Sequence, residues 1–252
     1  FGRGLPRALA LTGVPVASVA VLEGYGVLTG IAGQEQRARA LDVFERMYSP
    51  AIGTGVTMDY LGRTGLDALK GADILKTAAD SYSSTVEYAA TTIAQSLRGM
   101  AQVILKGLGT RVLYTSQGGY DTHANQVPVQ TPLLSDLSAG IGDFFTDLRE
   151  HDAADNVMML VFTEFGRRVK DNGSGSDHGS GGASYLIGQP VNGGMLGEYP
   201  SLKEEDQLDG DLHFNVDFRS VYSTIVDRWM GLDAKSAIGG NYELLDFVRS
   251  SN

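Results

Sequence analysis

The chain contains no cysteine. Disulfides and thiolate-bound zinc are therefore excluded, and any metal ion must be held by imidazole, carboxylate or water. No apolar run approaches the ~20 residues that span a bilayer, and no N-terminal secretion signal is visible. Positive charge is in deficit, with 20 Lys and Arg against 30 Asp and Glu, giving a net charge of −10. Such an acidic surface argues against nucleic acid or an anionic membrane as partner. It remains compatible with an anionic substrate where a bound cation reverses the local field. Three familiar catalytic signatures are also missing. No serine has a G-x-S-x-G environment, and no phosphate-cradling G-x-x-x-x-G-K-[ST] loop occurs. Gly107-Leu108-Gly109 precedes a strand-like run instead of following one, the wrong context for dinucleotide binding.

What is present suffices for one large core, or for two small domains at most: 42% of the 252 residues are hydrophobic, and with no linker marking a second domain a single domain over 1–252 is expected. Residues 14–28 read as one or two strands. Gln34–Tyr48 reads as an exposed helix with Leu41, Phe44 and Met47 in a narrow apolar stripe, and 49–65 reads as a glycine-rich loop. Helices are expected over 66–79, 86–108, 133–149 and 218–229. The clearest carries Ile93, Leu97, Met100, Ile104 and Leu108 at helical spacing, with Gly109 as a stop. Strands are expected at 111–116 (RVLYTS), 157–163 (VMMLVFT) and 183–187. An all-apolar strand such as VMMLVFT implies burial on both faces and hence a parallel sheet. Alternating strand and helix implies right-handed βαβ units, an α/β fold with a mostly parallel sheet and flanking helices.

Polar residues cluster where such strands end. Asp121-Thr122-His123 follows RVLYTS, Glu164 sits at the tip of VMMLVFT, and Asp177-His178 lies in the glycine-rich segment beyond it. Ligands of open α/β sheets bind beyond the carboxyl ends of strands, so these segments are expected to share one crevice. Imidazole plus carboxylate suits Zn, Mn or Fe(II), or Ca and Mg if carboxylates dominate. Arg167 and Arg168 stand in the same loop, where a guanidinium can clamp phosphate or sulfate. Each residue alone also has a plain structural reading: an Asx-turn at Asp121, a helix-capping carboxylate at Glu164, a solvated arginine pair. His151 ends a helix and complements its dipole. His213 adjoins the acidic stretch 204–211, which lacks EF-hand spacing.

GGYDTHANQ, a following LL-x-DLS helix, VFTEFGRRVKDNGSGSDHG, NGGMLGEYPSL and DFRSVY occur in this order. This series resembles the bacterial domain of unknown function 1501, a sulfatase-like family placed in the alkaline phosphatase superfamily. The resemblance runs from about residue 5 to the last helix. It implies an alkaline-phosphatase-like fold with a two-metal crevice, lacking its N-terminal strand. In that setting Asp121, His123 and His178 resemble the ligands of one divalent ion, zinc first, with Mn, Ca or Mg as alternatives. Glu164 resembles a ligand of a second ion, Asp177 a ligand or a residue that orients one, and Arg167 an anion contact. T-E-F-G-R stands where related enzymes have T-x-D-H-G, which weakens the second ion's site. Nothing in residues 1–50 matches the family's Gly/Asp-rich first strand, so the nucleophile and one further ligand are expected upstream of Phe1. The function implied is a metal-dependent hydrolase of small phosphate or sulfate esters, periplasmic or secreted. The alternative is a non-catalytic secreted or surface module that keeps the fold.

Overall fold

Thr91 caps the most regular element of the chain. Its Oγ1 accepts from the Ala94 N–H, and the helix that follows runs over Thr92–Leu105. In the computed structural model, which describes residues 1, 16–20, 22, 31 and 33–249, this is the third of six α-helices. They are α1 (Gln34–Tyr48), α2 (Val56–Asp80), α3 (Thr92–Leu105), α4 (Gln126–Glu150), α5 (Phe218–Thr224) and α6 (Ala234–Ile238), and a π-helical turn, Ile225–Trp229, continues α5. The strands are β1 (Met159–Val161), β2 (Gly166–Asp171), β3 (Ser176–Gly179) and β4 (Tyr185–Ile187). Among the described residues, no helix is long and apolar enough to cross a membrane.

The chain divides into two compact units, Phe1–Gly118 with Leu134–His151, and Gly119–Leu133 with Asp152–Asn252. The first is helical. Ile93, Ala94, Leu97, Met100, Ala101 and Val103 of α3 are buried, as are Phe144, Phe145 and Leu148 of α4. Both sets repeat at three- and four-residue spacing, which puts each on one helical face. Val19, Leu22 and Val103 form a further cluster with Leu75, Ala79, Leu108 and Leu113 against it.

The last turn of α4 holds an unusual polar knot. Asp147 is fully buried, and its Oδ2 accepts from the hydroxyls of Tyr82 (2.6 Å) and Tyr88 (2.8 Å). His151, one turn on, places Nδ1 2.8 Å from the Asp147 carbonyl and Nε2 2.9 Å from the Ser83 carbonyl. The same Nδ1 lies 3.3 Å from Asp147 Oδ1, an ion-pair contact without hydrogen-bond geometry. Thr85 adds two backbone contacts and a hydroxyl bond to Glu150. Burial, then the bond to Asp147, pushes Tyr82 up to about 12 and raises Tyr88 further.

The second unit carries all four strands. β1 pairs antiparallel with β4 (Met159 opposite Ile187, Val161 opposite Tyr185), and β2 pairs antiparallel with β3 (Arg167 opposite His178). A bridge joins Val191 to Val248, where Phe247 is fully buried. Asp217 and Asp233 cap α5 and α6 by accepting from Arg219 and Lys235 N–H groups.

This architecture overturns the expected alkaline-phosphatase-like, mostly parallel α/β sheet. Among the described residues there are two antiparallel two-stranded sheets and no parallel pair. Of VMMLVFT only Met159–Val161 is a strand, its residues are half-buried, and Phe162 is 50% exposed. No helix separates β1 from its partner β4; the β2–β3 hairpin does. Residues 111–116 are irregular rather than a strand, so among the described residues no βαβ unit precedes β1. The loop expected over 49–65 gives way to α2 from Val56, and α4 begins at Gln126 instead of 133. Of the strand expected over 14–28, residues 16–20 and 22 are irregular or bent, and the remainder lies outside the described residues.

Candidate metal centre

Two segments of the second unit build the site: the loop at 119–125, just before α4, and the β2–β3 hairpin. The loop is tightly turned. The Thr122 N–H donates to the Tyr120 carbonyl (2.9 Å), and Asn125 adopts φ 53° where α4 begins. Gln130 of α4 reaches back to the Tyr120 carbonyl and the Thr122 hydroxyl (3.2 and 2.7 Å).

The hairpin turn is set by its D-N-G-S sequence. Asp171 Oδ1 accepts from the Gly173 N–H, and Asn172 Oδ1 accepts from Ser174 and Gly175, an Asx-type turn. Two glycines mark close approaches. A Cβ on Gly175 would stand 2.8 Å from the His123 carbonyl oxygen, and one on Gly166 would collide with the backbone of Gly181. The departure F-G-R thus has a local reason, because only glycine fits between β2 and the chain at 181.

Cross-links then join loop to hairpin. Arg167 donates from Nη1 to the Ser176 carbonyl and from Nη2 to the Tyr120 carbonyl, each at 2.6 Å. Ser176 Oγ donates to Gln126 (3.0 Å), the Asn125 N–H to the Ser174 carbonyl (3.0 Å), and Asn172 Nδ2 to the His123 carbonyl (3.1 Å).

These links bring together Asp121, His123 and His178, whose ligand atoms all lie within 4.8 Å of one another. His178 Nε2 is 2.7 Å from Asp121 Oδ1, and His123 Nε2 is 3.4 Å from the same oxygen. Asp177 stands behind His123, with Oδ1 3.1 Å from Nδ1, and also accepts from Asn172 (3.0 Å). The hydrogen bond from His178 holds the Asp121 carboxyl below its ordinary range, and those from His123 and then Asn172 do the same for Asp177. All four side chains are exposed. The Phe165 ring lies parallel to the His178 imidazole, 3.8 Å between centroids and 8° between planes, and the Arg167 guanidinium carbon is 5.3 Å from the Phe165 centroid.

The donor set fits a divalent cation. His123 faces ionised carboxylates from both ring nitrogens, and such groups only accept. With Nδ1–H given to Asp177, Nε2 is left facing Asp121 Oδ1 and His178, the arrangement in which a carboxylate orients a metal-binding histidine. Two imidazoles and one carboxylate suit Zn, Mn or Fe(II).

The other expected residues fall elsewhere. Glu164 is exposed on the turn before β2 and stands outside the group, which is the one cluster of its kind among the described residues. Arg168 pairs with Asp211 Oδ1 (3.3 Å) and donates to the Asp209 carbonyl (2.8 Å). Asn172, Phe165 and Gln130 were not anticipated. The D-N-G-S turn was the available signal for Asn172; Phe165 and Gln130 carried none.

A family model described as protein of unknown function (DUF1501) matches residues 57–241. The chain belongs to the DUF1501 family. The match spans the loop, the hairpin and every residue of the centre. No curated protein and no solved structure matches the chain.

Proposed function

We propose that this DUF1501 protein is a metal-dependent hydrolase of small phosphate or sulfate esters, holding one divalent ion, zinc first, on Asp121, His123 and His178. The observation that carries the reading is the convergence of three donor atoms from two chain segments with Asp177 behind one of them. The ester class and a periplasmic or secreted setting rest on the sulfatase-like resemblance of the motifs. When bound there, a divalent ion supplies Lewis acidity and a more acidic water. The chain's own contribution is to fix the two imidazoles and the carboxylate and to leave them open to solvent. Glu164 stands outside this group, and the reading proposed is of the single ion held by it.

One observation favours a second reading, a module that binds metal without catalysis. Arg167 commits both terminal nitrogens to backbone carbonyls, and Arg168 is engaged with Asp209 and Asp211. Metal content of the purified chain after equilibration with zinc or manganese, followed by assays on aryl phosphate and aryl sulfate, separates the readings. The hydrolase predicts about one ion per chain and turnover, both lost in His123→Ala and His178→Ala. Metal without turnover selects the non-catalytic module. Absence of metal from the wild-type chain overturns both.

A further inference from the structure

The centre is assembled from segments about fifty residues apart, and exposed side chains do not by themselves hold such segments in register. Arg167 is placed to do so. It stands opposite His178 in the β2–β3 register, so its backbone is tied to the strand that carries one ligand. Its guanidinium reaches the Tyr120 carbonyl, next to Asp121, and the Ser176 carbonyl, next to Asp177. A rigid planar fork spanning two carbonyls sets the separation of those two chains, which a lysine ammonium on a flexible stem does not reproduce. Phe165, two residues before Arg167, contacts the flat face of the His178 ring and so restricts the plane in which Nε2 can point.

We propose that Arg167 and Phe165 are positioning residues of the metal centre: Arg167 fixes the spacing of the Asp121–His123 loop against the Asp177–His178 strand, and Phe165 fixes the orientation of the His178 ring. The inference rests on the single-metal reading above and assigns Arg167 a role other than anion contact. Residues that orient ligands in this way cost 10–100-fold in metal affinity when changed.

The test is titration of the full chain with Co(II), reading both affinity and the visible ligand-field spectrum, for wild type, Arg167→Lys, Phe165→Leu and Phe165→Tyr. The expected result is a 10–100-fold weaker Co(II) site with an altered spectrum in Arg167→Lys and Phe165→Leu, and recovery of both in Phe165→Tyr, which keeps the flat ring. Far-UV circular dichroism of the metal-free variants checks folding; should Arg167→Lys not fold, the Phe165 pair decides the question. If wild type binds Co(II) and the variants match it in affinity and spectrum, the positioning role is wrong while the metal reading stands. If wild type binds none, the metal reading fails and takes this inference with it. If Arg167→Lys keeps Co(II) binding but loses inorganic phosphate or sulfate binding to the loaded protein, Arg167 is an anion contact and the brace is overturned.

Discussion

Each unit holds a group of aspartate and histidine, and the two groups are opposites. In the helical unit Asp147 is 0% exposed, two tyrosine hydroxyls donate to it, and both nitrogens of His151 face backbone carbonyls. In the second unit the side chain of Asp121 is 70% exposed, and His123 is flanked by carboxylates on both sides. Burying a carboxylate is costly unless it is hydrogen-bonded, and in the first group Asp147 Oδ2 takes both tyrosine hydroxyls while Oδ1 has only the ion-pair contact with His151. The second leaves carboxylate oxygens and imidazole nitrogens on exposed side chains. Identical residue types therefore act as a structural tie in one place and as an open donor set in the other, and burial tells them apart.

The largest effect expected of this comparison comes from emptying the buried group. Asp147→Ala strands the hydroxyls of Tyr82 and Tyr88 in a half-buried setting and removes the counter-charge beside His151. A lost partner costs ~1–3 kcal/mol per unsatisfied group, so the change is expected to lower unfolding free energy by about 3 kcal/mol. Urea unfolding followed by circular dichroism measures it. Metal affinity of the folded variant is expected to remain at the wild-type value, because Asp147 belongs to no part of the centre. A variant as stable as wild type would show that the buried group ties nothing.

The converse experiment empties the exposed group. Zinc at a hundredfold over its dissociation constant is expected to raise wild-type stability by ~2.7 kcal/mol through mass action alone. Asp121→Ala and His178→Ala are expected to abolish that rise while shifting metal-free stability by no more than ~0.5 kcal/mol, as for other exposed positions. Thermal melts with and without zinc, run with a chelator control, give both numbers. Variants that lose stability without metal, and respond to zinc as wild type does, would make the exposed cluster a structural element like its buried counterpart.

What the sequence reveals of each group follows from the range of the interactions. α3 was legible, apart from its ends, because Ile93, Leu97 and Met100 recur on one face. α4 was only partly so. Pro132 reads as a boundary, yet the helix runs through it from Gln126. VMMLVFT announces burial but not its partner, and a continuous apolar run does not distinguish a parallel neighbour from the short antiparallel pairing with Tyr185–Ile187. Asp121, His123 and His178 were legible as candidate site residues from their place at the ends of expected strands and from the motif resemblance. Their sharing one crevice was expected and is observed, but not for the expected reason: long-range cross-links such as Arg167 to the Tyr120 carbonyl, 47 positions away, join the segments instead of neighbouring parallel strand ends. Glu164, read from the sequence as belonging to a second ion, stands outside this group. Of the two roles open to Asp177 in the sequence, the hydrogen bond to His123 favours the orienting one.

The smallest effect is the pH response of the buried group, and its sign is fixed by geometry. Carbonyl oxygens only accept, so His151 satisfies Asp147 and Ser83 together only with a proton on each nitrogen. The bond to the Asp147 carbonyl is the main cause that raises its pKa above 6.5, followed in the same direction by Ser83 and the nearby charges of Asp147 and Glu150, against the opposing cost of burial. A group whose pKa rises on folding stabilises fully below its unfolded value and loses that contribution as pH climbs through the folded one. The contribution is therefore expected to be complete below pH ~6.5 and to fade above it, by ~0.5–1.5 kcal/mol, the net worth of one hydrogen bond. Urea midpoints across this range, compared between wild type and His151→Gln in metal-free buffer, check it: the glutamine variant is expected to show a flatter profile. A wild-type profile that instead rises through neutral pH would mean that His151 folds neutral, with one of its two carbonyls unpaired.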